Sequence, residues 1–412
     1  MVVIAYLLGT RARADSLAVA LGPIDIINTA LLNTMLVAFV PLLMTQKPED
    51  RAALFVKAWR VFPMILACVT VTLAFLAPNL VHILGPGLAP AQHREAVSLL
   101  RLIAPAIFLG GSSAVFAALL QTERSFLIPA LFQACVNGGM ILSALILWPF
   151  LGIDAFAIGY TFGAAVHLVL TWTASLHLRQ GTTESTMPLR VILVKPAMYL
   201  VYSALIAGNI LATRAFATHA GPGMAAAFDY CLRCISVVVA YLVYPVANSL
   251  LPEVALLRTR NESAHAFRLI DRSLTLMAGA SVLACAVGLL LRKPVISLLF
   301  ERGSFNAEST AMVSAVFLGF APAIIGWTLL DLISRCSFAL DRPILPVACG
   351  AIPVVVNLLV LSFVHVTPTT LAMGASAGLM AGFLVLFGAA HLWRRDIARS
   401  GVHDADVVVR MN

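Results

Sequence analysis

The stretch MAAAFDYCLRCISVVVAYLVYPVANSLLPEVALL, Met224 to Leu257, decides how this chain is read. It is long and apolar enough to cross a bilayer, yet it carries Arg233 about ten residues from its start. At helical rise, Arg233 lies roughly 15 Å deep, near the middle of a ~30 Å hydrocarbon core. A charge there costs at least ~2.5–3.5 kcal/mol, so it is expected to face a cavity, a partner or an anionic substrate. Asp229 precedes it by four residues, which puts both side chains on one helical face. The pair reads either as an internally neutralised couple that lets the helix insert, or as a cationic site tuned by a local carboxylate. The second reading is favoured, because Asp229 is nearer the helix end and a guanidinium fork suits phosphate oxygens.

The same apolar character continues on both sides. Of 412 residues, 61% are hydrophobic and 11% charged, and the mean hydropathy is +0.96. This composition excludes a soluble globular domain and predicts an all-α integral membrane protein. Eleven full spans are expected at 15–43, 61–84, 102–121, 126–149, 155–177, 196–218, 224–252, 273–291, 310–333, 344–365 and 369–393. Met1 to Leu8 forms a stub too short to cross. No cleavable signal peptide is expected at the start, which lacks a basic region and a small-residue cleavage site.

A net charge of +8 does not imply nucleic-acid binding here, because the basic residues sit at span ends. If the stub ends outside, alternate loops and the C-terminus carry 18 of the 27 Lys and Arg, the opposite side carries 8, and Arg233 is the remaining one. This asymmetry places Lys47, Arg60, Arg258, Arg272, Arg394, Arg395 and the C-terminus in the cytoplasm. The seven cysteines lie mostly inside spans. Cys231 and Cys234 form a CxxC pattern, but within an apolar helix this reads as packing.

The chain repeats itself. Ala38-Phe39-Val40-Pro41 and Ser249-Leu250-Leu251-Pro252 each precede a basic amphipathic linker and a helix containing Ala-Cys, at Ala67-Cys68 and Ala284-Cys285. Pro78 matches Pro294 and Gly87 matches Gly303, both at an offset of 216. Parallel repeats of this kind predict two helical lobes around a midplane site. The lobes are expected at 1–178, with its first helix incomplete, and at 196–395. A polar linker at 179–195 joins them, and 396–412 forms a cytoplasmic tail.

Other polar residues inside spans are site candidates. Arg214 either snorkels to the interface or adds a second cation, with Asn209 about 7 Å deeper. Asp25 and Asn28, followed by Asn33 and Thr34, read as a cavity-lining stripe, the alternative being helix–helix hydrogen bonding. Asp331, Ser334 and Arg335 read as a solvated cytoplasmic helix end. The chain holds no Walker A loop, HExxH motif or nucleophile elbow, so neither a cofactor nor a metal is expected.

Several segments resemble the MurJ/MviN lipid II flippase family, within the multidrug and oligosaccharidyl-lipid exporter superfamily. Leu299-Phe300-Glu301-Arg302-Gly303-Ser304-Phe305 to Thr310 is similar to the family's LFxRGxFxxxxT turn. Ile333-Ser334-Arg335-Cys336-Ser337-Phe338-Ala339 with Pro346-Val347 resembles LxRxFYA…PV. Tyr230-Cys231-Leu232-Arg233 with Leu250-Leu251-Pro252 resembles YAxRL…LLP, and Gly9, Asp15 and Ala38-Phe39-Val40-Pro41 resemble GxxxxxDxF…AFVP. The resemblance implies a MATE-like two-lobe helical bundle that moves an undecaprenyl-diphosphate-linked cell-wall precursor through a cationic cavity, with Arg233 on the family's cavity arginine. The sequence departs from the pattern in several places. It begins after the family's arginine-rich first helix, and no arginine stands between Pro23 and Met35. The region around Ser236 replaces an acidic residue, and the last two family helices are missing. These departures leave three explanations open: a first helix absent from the sequence, a paralogue for another lipid-linked glycan, or an inactive relative.

The expected function is therefore flipping of lipid II by alternating access, with Arg233, Arg214, Asp229, Asn209, Asp25 and Asn28 at the substrate. The expected partners are the polyprenyl-diphosphate-linked glycan, membrane lipids, and cell-wall or polysaccharide assembly proteins. The alternatives are a flippase for a lipid-linked exopolysaccharide or O-antigen unit, a cation-coupled multidrug exporter titrating Asp25, and a non-transporting scaffold.

Overall fold

In the computed structural model, described for residues 2–44, 48–179, 189–260, 262–365 and 367–400, every regular element among the described residues is a helix. The first half carries α1 (Val2–Leu8), α2 (Ala12–Thr34), α3 (Val40–Met44), α4 (Pro48–Phe75), α5 (Ala77–Leu84), α6 (Pro90–Ile103), α7 (Pro105–Thr122), α8 (Leu127–Ala130), α9 (Phe132–Leu151) and α10 (Asp154–Ala174). The second carries α11 (Leu189–His219), α12 (Met224–Thr259), α13 (Ser263–Phe300), α14 (Ala307–Phe320), α15 (Ala323–Ala339), α16 (Ile344–Cys349), α17 (Ile352–Phe363) and α18 (Pro368–Ser400).

Among the described residues, ten helical stretches are long and apolar enough to span a membrane, or eleven if α14 and α15, bent by 49°, form one broken span. Prolines set many of the boundaries. They open α5, α6, α7 and α17 at the first or second position, where the missing N–H costs nothing. The span expected at 15–43 is not one regular helix. Between α2 and α3 it widens into a π-turn at Met35–Phe39, with the Val40 N–H donated to the Met35 carbonyl. Pro41 has no N–H to give the preceding turn, which favours a register shift at this point. Phe39, the aromatic residue of AFVP, is fully buried and meets Phe62 edge-on, ring centroids 6.0 Å apart. The basic segments 44–60 and 257–272 largely continue the helices α4, α12 and α13.

The chain clusters into two compact units. The first holds 1–207, 214–226 and 300–306; the second holds 208–213, 227–299 and 307–412. Residues 180–188 of the expected linker and 401–412 of the expected tail lie outside the described residues, and α18 continues the last span to Ser400.

In the first unit, α9 and α10 approach through glycines. A methyl on Gly139 would overlap the Gly159 carbonyl, and one on Gly163 would overlap Cys135. In the second unit α18 packs on α14, α15 and α17, with Gly319 against Thr369 and Gly326 against Met380. Leu276, Leu283, Leu290 and Leu298 form an exposed stripe along α13, the surface expected of a lipid-facing helix.

Two left-handed turns stand at nearly the spacing expected of the repeat. Arg124 after α7 and Asp341 after α15 both adopt φ 58°, at an offset within one residue of the 216 seen in the sequence. Each turn carries a carboxylate paired with an arginine of its own unit: Glu123 with Arg51 at 3.0 Å, and Asp341 with Arg258 at 3.2 Å.

Candidate functional site

The six candidates fall into two groups. Asp25, Asn28 and Arg214 belong to the first unit; Asn209, Asp229 and Arg233 belong to the second.

In the first unit, Arg214 reaches from α11 onto α2. It is only 3% exposed, so it does not snorkel. Its guanidinium lies where a side chain on Gly22 would project, and a methyl there would overlap Nη1. One turn further along α2, the buried Tyr160 hydroxyl of α10 donates to Asp25 Oδ1 at 3.3 Å. Asn28 Nδ2 lies 3.5 Å from the same hydroxyl, at the long limit of a hydrogen bond. Gly22 and Asp25 are three residues apart and share a helix face. The α2 surface thus presents a desolvated guanidinium and a half-buried carboxylate one turn apart. Asn28 itself is fully buried against Gly110 of α7. It therefore sits in the α2–α7 packing rather than on an open stripe.

The start of α12, which carries Arg233, is held from α2. Asp15 accepts the Gly223 N–H at 2.5 Å on Oδ2 and the Ala226 N–H at 2.9 Å on Oδ1. A carboxylate on the free N–H groups of a helix start satisfies them and complements the helix dipole. Gly223 permits this approach: its φ is +84° and a methyl on it would overlap the Thr10 carbonyl. The LFxRGxF-like turn packs nearby in the same unit. The Ser304 N–H donates to the Tyr6 carbonyl at 2.8 Å, and Gly303, at φ +61°, lies against Tyr6.

In the second unit, Asp229 is buried and Arg233 half-buried, one turn apart on α12. Asn209 is fully buried in a helix–helix network. Its Nδ2 donates to the Ala375 carbonyl at 3.2 Å. Asn357 Nδ2 donates to the Asn209 carbonyl at 2.9 Å and to Thr213 Oγ1 at 2.7 Å. The expectation of a solvated helix end at Asp331, Ser334 and Arg335 is corrected. Arg335 is 5% exposed; its Nε donates to Asp331 Oδ1 at 3.0 Å, and its guanidinium stacks 5.4 Å from the Tyr244 ring. Helix periodicity at the end of a span does not reveal that a neighbouring helix covers it.

Three contributors escaped the sequence reading. Gly22 and Tyr160 carry no signal on their own. Asn357, a polar residue inside an apolar span, did carry one.

The comparison that decides the family is a match of residues 4–407 to the family model described as Lipid II flippase MurJ. The chain belongs to the MurJ lipid II flippase family. A probable lipid II flippase MurJ of Rhizobium meliloti is 26% identical over 348 residues, covering 80% of this chain and 64% of that relative. The corresponding Synechocystis protein is 24% identical over 327 residues, covering 74% and 60%. The chain thus spans less than two thirds of the length of these MurJ relatives. Among solved structures, a lipid II flippase MurJ in an inward closed conformation aligns with TM-score 0.79 at 17% identity, covering 95% of this chain and 84% of that one. An inward-facing multidrug resistance MATE family transporter aligns with TM-score 0.81 at 12% identity, covering 97% and 94%. These likenesses establish the fold, that of MurJ and of the MATE transporters, for a multi-pass membrane protein.

Proposed function

We propose that this chain flips an undecaprenyl-diphosphate-linked saccharide, lipid II, across the bacterial inner membrane by alternating access. The observation that carries the reading is Arg233: a half-buried guanidinium in the apolar part of a helix long and apolar enough to span a membrane, in a MurJ-family protein. Arg233 binds the diphosphate by charge-assisted hydrogen bonds, and Asp229, one turn away, orients it. Within the first unit, Arg214 is a further candidate cation for the substrate, with Asp25 one turn along the same α2 face. Asn209 and Asn28 support the helices that present these groups. The C-terminus lies in the cytoplasm, on the arginine-rich side.

The test is complementation. The essential lipid II flippase of a bacterial host is depleted, and this chain is expressed at verified membrane levels beside Arg233→Ala and Arg233→Lys. Growth supported by the wild type, lost with Arg233→Ala and partly kept with Arg233→Lys is the expected result. A charge-assisted contact contributes ~1.5–3 kcal/mol, roughly a ten- to hundredfold change in substrate affinity. Full rescue by Arg233→Ala at wild-type abundance defeats the reading.

A further inference from the structure

A narrow cleft in the second unit, apart from the six residues above, is lined by Ser337, Arg342, Trp393 and Arg394 among others. Its cationic wall is built deliberately. Asp341 takes the left-handed backbone at φ 58°, and Arg258 Nη2 donates to its carboxylate at 3.2 Å. The turn is further closed by the Arg342 N–H donated to the Ser337 carbonyl at 2.9 Å. This stands the Arg342 guanidinium 5.1 Å from the centroid of the Trp393 ring, with no ion pair among the described residues. Arg394 on the other side stacks 4.8 Å from the Phe267 ring and donates to Asp271 at 2.5 Å.

Trp393 adds a second observation. Its Nε1–H is buried and has no acceptor among the described residues. An unsatisfied buried donor costs ~1–3 kcal/mol. Beside a guanidinium with no carboxylate partner, it asks for an anionic oxygen. Exposed Ile344 and Leu392 adjoin the lining residues Leu345 and Trp393 in the chain, so the cleft borders lipid-facing surface. Tryptophan and arginine at the basic end of a span mark headgroup depth, and the cytoplasmic leaflet is the anionic one.

We propose that this cleft binds the phosphate of an anionic glycerophospholipid, with Arg342 and the Trp393 N–H as donors and Arg394 as a neutralised support. The site is independent of the flipping reaction. An oxygen of the phosphate takes the indole N–H, the Arg342 fork takes a second, and the acyl chains run along the apolar surface.

The experiment uses the full chain, delipidated in detergent and titrated with phosphatidylglycerol or phosphatidylcholine, with bound lipid counted by native mass spectrometry. Thermal unfolding without lipid checks that each variant is folded. The wild type is expected to retain phosphatidylglycerol in preference to phosphatidylcholine. Arg342→Gln weakens that binding about fivefold, the worth of one arginine at an anionic surface. Trp393→Phe, which keeps a ring under Arg342 and removes only the N–H, also weakens it. Equal phosphatidylglycerol binding by the wild type and both variants overturns the site, as does equal retention of phosphatidylcholine. A third arm replaces lipid with inorganic phosphate. If phosphate alone raises the unfolding temperature and both variants abolish that rise, soluble phosphate is the ligand and the lipid assignment fails.

Discussion

The Arg214 guanidinium lies against the backbone of α2 at Gly22, in the space that any other residue there would fill. Glycine at this position is a condition for a buried cation delivered from another helix. Burying a charge is costly unless the surroundings hold it, so the arrangement is one that a small steric change disrupts.

Gly22→Val is therefore expected to push Arg214 out of its seat. Overpacking of this kind costs ~1–3 kcal/mol. In the flippase-depletion assay, Gly22→Val behaves like Arg214→Ala at matched abundance, and Gly22→Ala is less severe. Full growth with Gly22→Val, together with loss of growth on Arg214→Ala, would show that the seat does not position the guanidinium.

Asp15→Ala leaves the Gly223 and Ala226 N–H groups without their carboxylate. The loss is about 2 kcal/mol, as for a charged helix-start cap, and is read as a lower unfolding temperature in detergent. Asp15→Asn keeps one acceptor oxygen and falls between the wild type and the alanine variant. An unchanged unfolding temperature for Asp15→Ala would contradict the cap.

Asn357 ties α17 to α11 through two hydrogen bonds inside the second unit. Asn357→Ala removes the donor from Thr213 Oγ1 and one of the donors from the Asn209 carbonyl, which keeps the Thr213 hydroxyl at 3.0 Å, and destabilises by about 1 kcal/mol. Gly374→Ala reaches the same network from α18, because its methyl would overlap Asn357 Oδ1. The two substitutions are expected to be less than additive, since either one disturbs the shared network. Strict additivity in thermal unfolding would refute that coupling.

The Arg335–Asp331 pair is buried on the arginine side and partly open on the carboxylate side, at 6% and 21% side-chain exposure. Arg335→Leu leaves a carboxylate facing a low-dielectric wall, and costs less than the ~3–5 kcal/mol of a fully buried orphan. Adding Asp331→Asn relieves part of that cost. A double-mutant cycle on unfolding free energy measures the coupling, and a coupling of zero would mean that the pair is held by packing alone.

The sequence by itself determined the membrane class, the succession of apolar spans and the arginine inside the apolar stretch of α12, because each rests on composition or periodicity along one chain. It also carried the family, through short motifs whose spacing reflects turns: Gly303 is needed where the backbone turns left-handed against Tyr6. Only the tertiary structure decided which polar residues share a space. Arg214 meets Gly22, Asp15 caps a helix that begins more than 200 residues later, and Arg335 is covered where a solvated end was expected. Those relations depend on which helix lies beside which, and a hydrophobic surface that packs against lipid has the same composition as one that packs against another helix. The pattern of apolar residues tells that a helix is buried, but not what buries it.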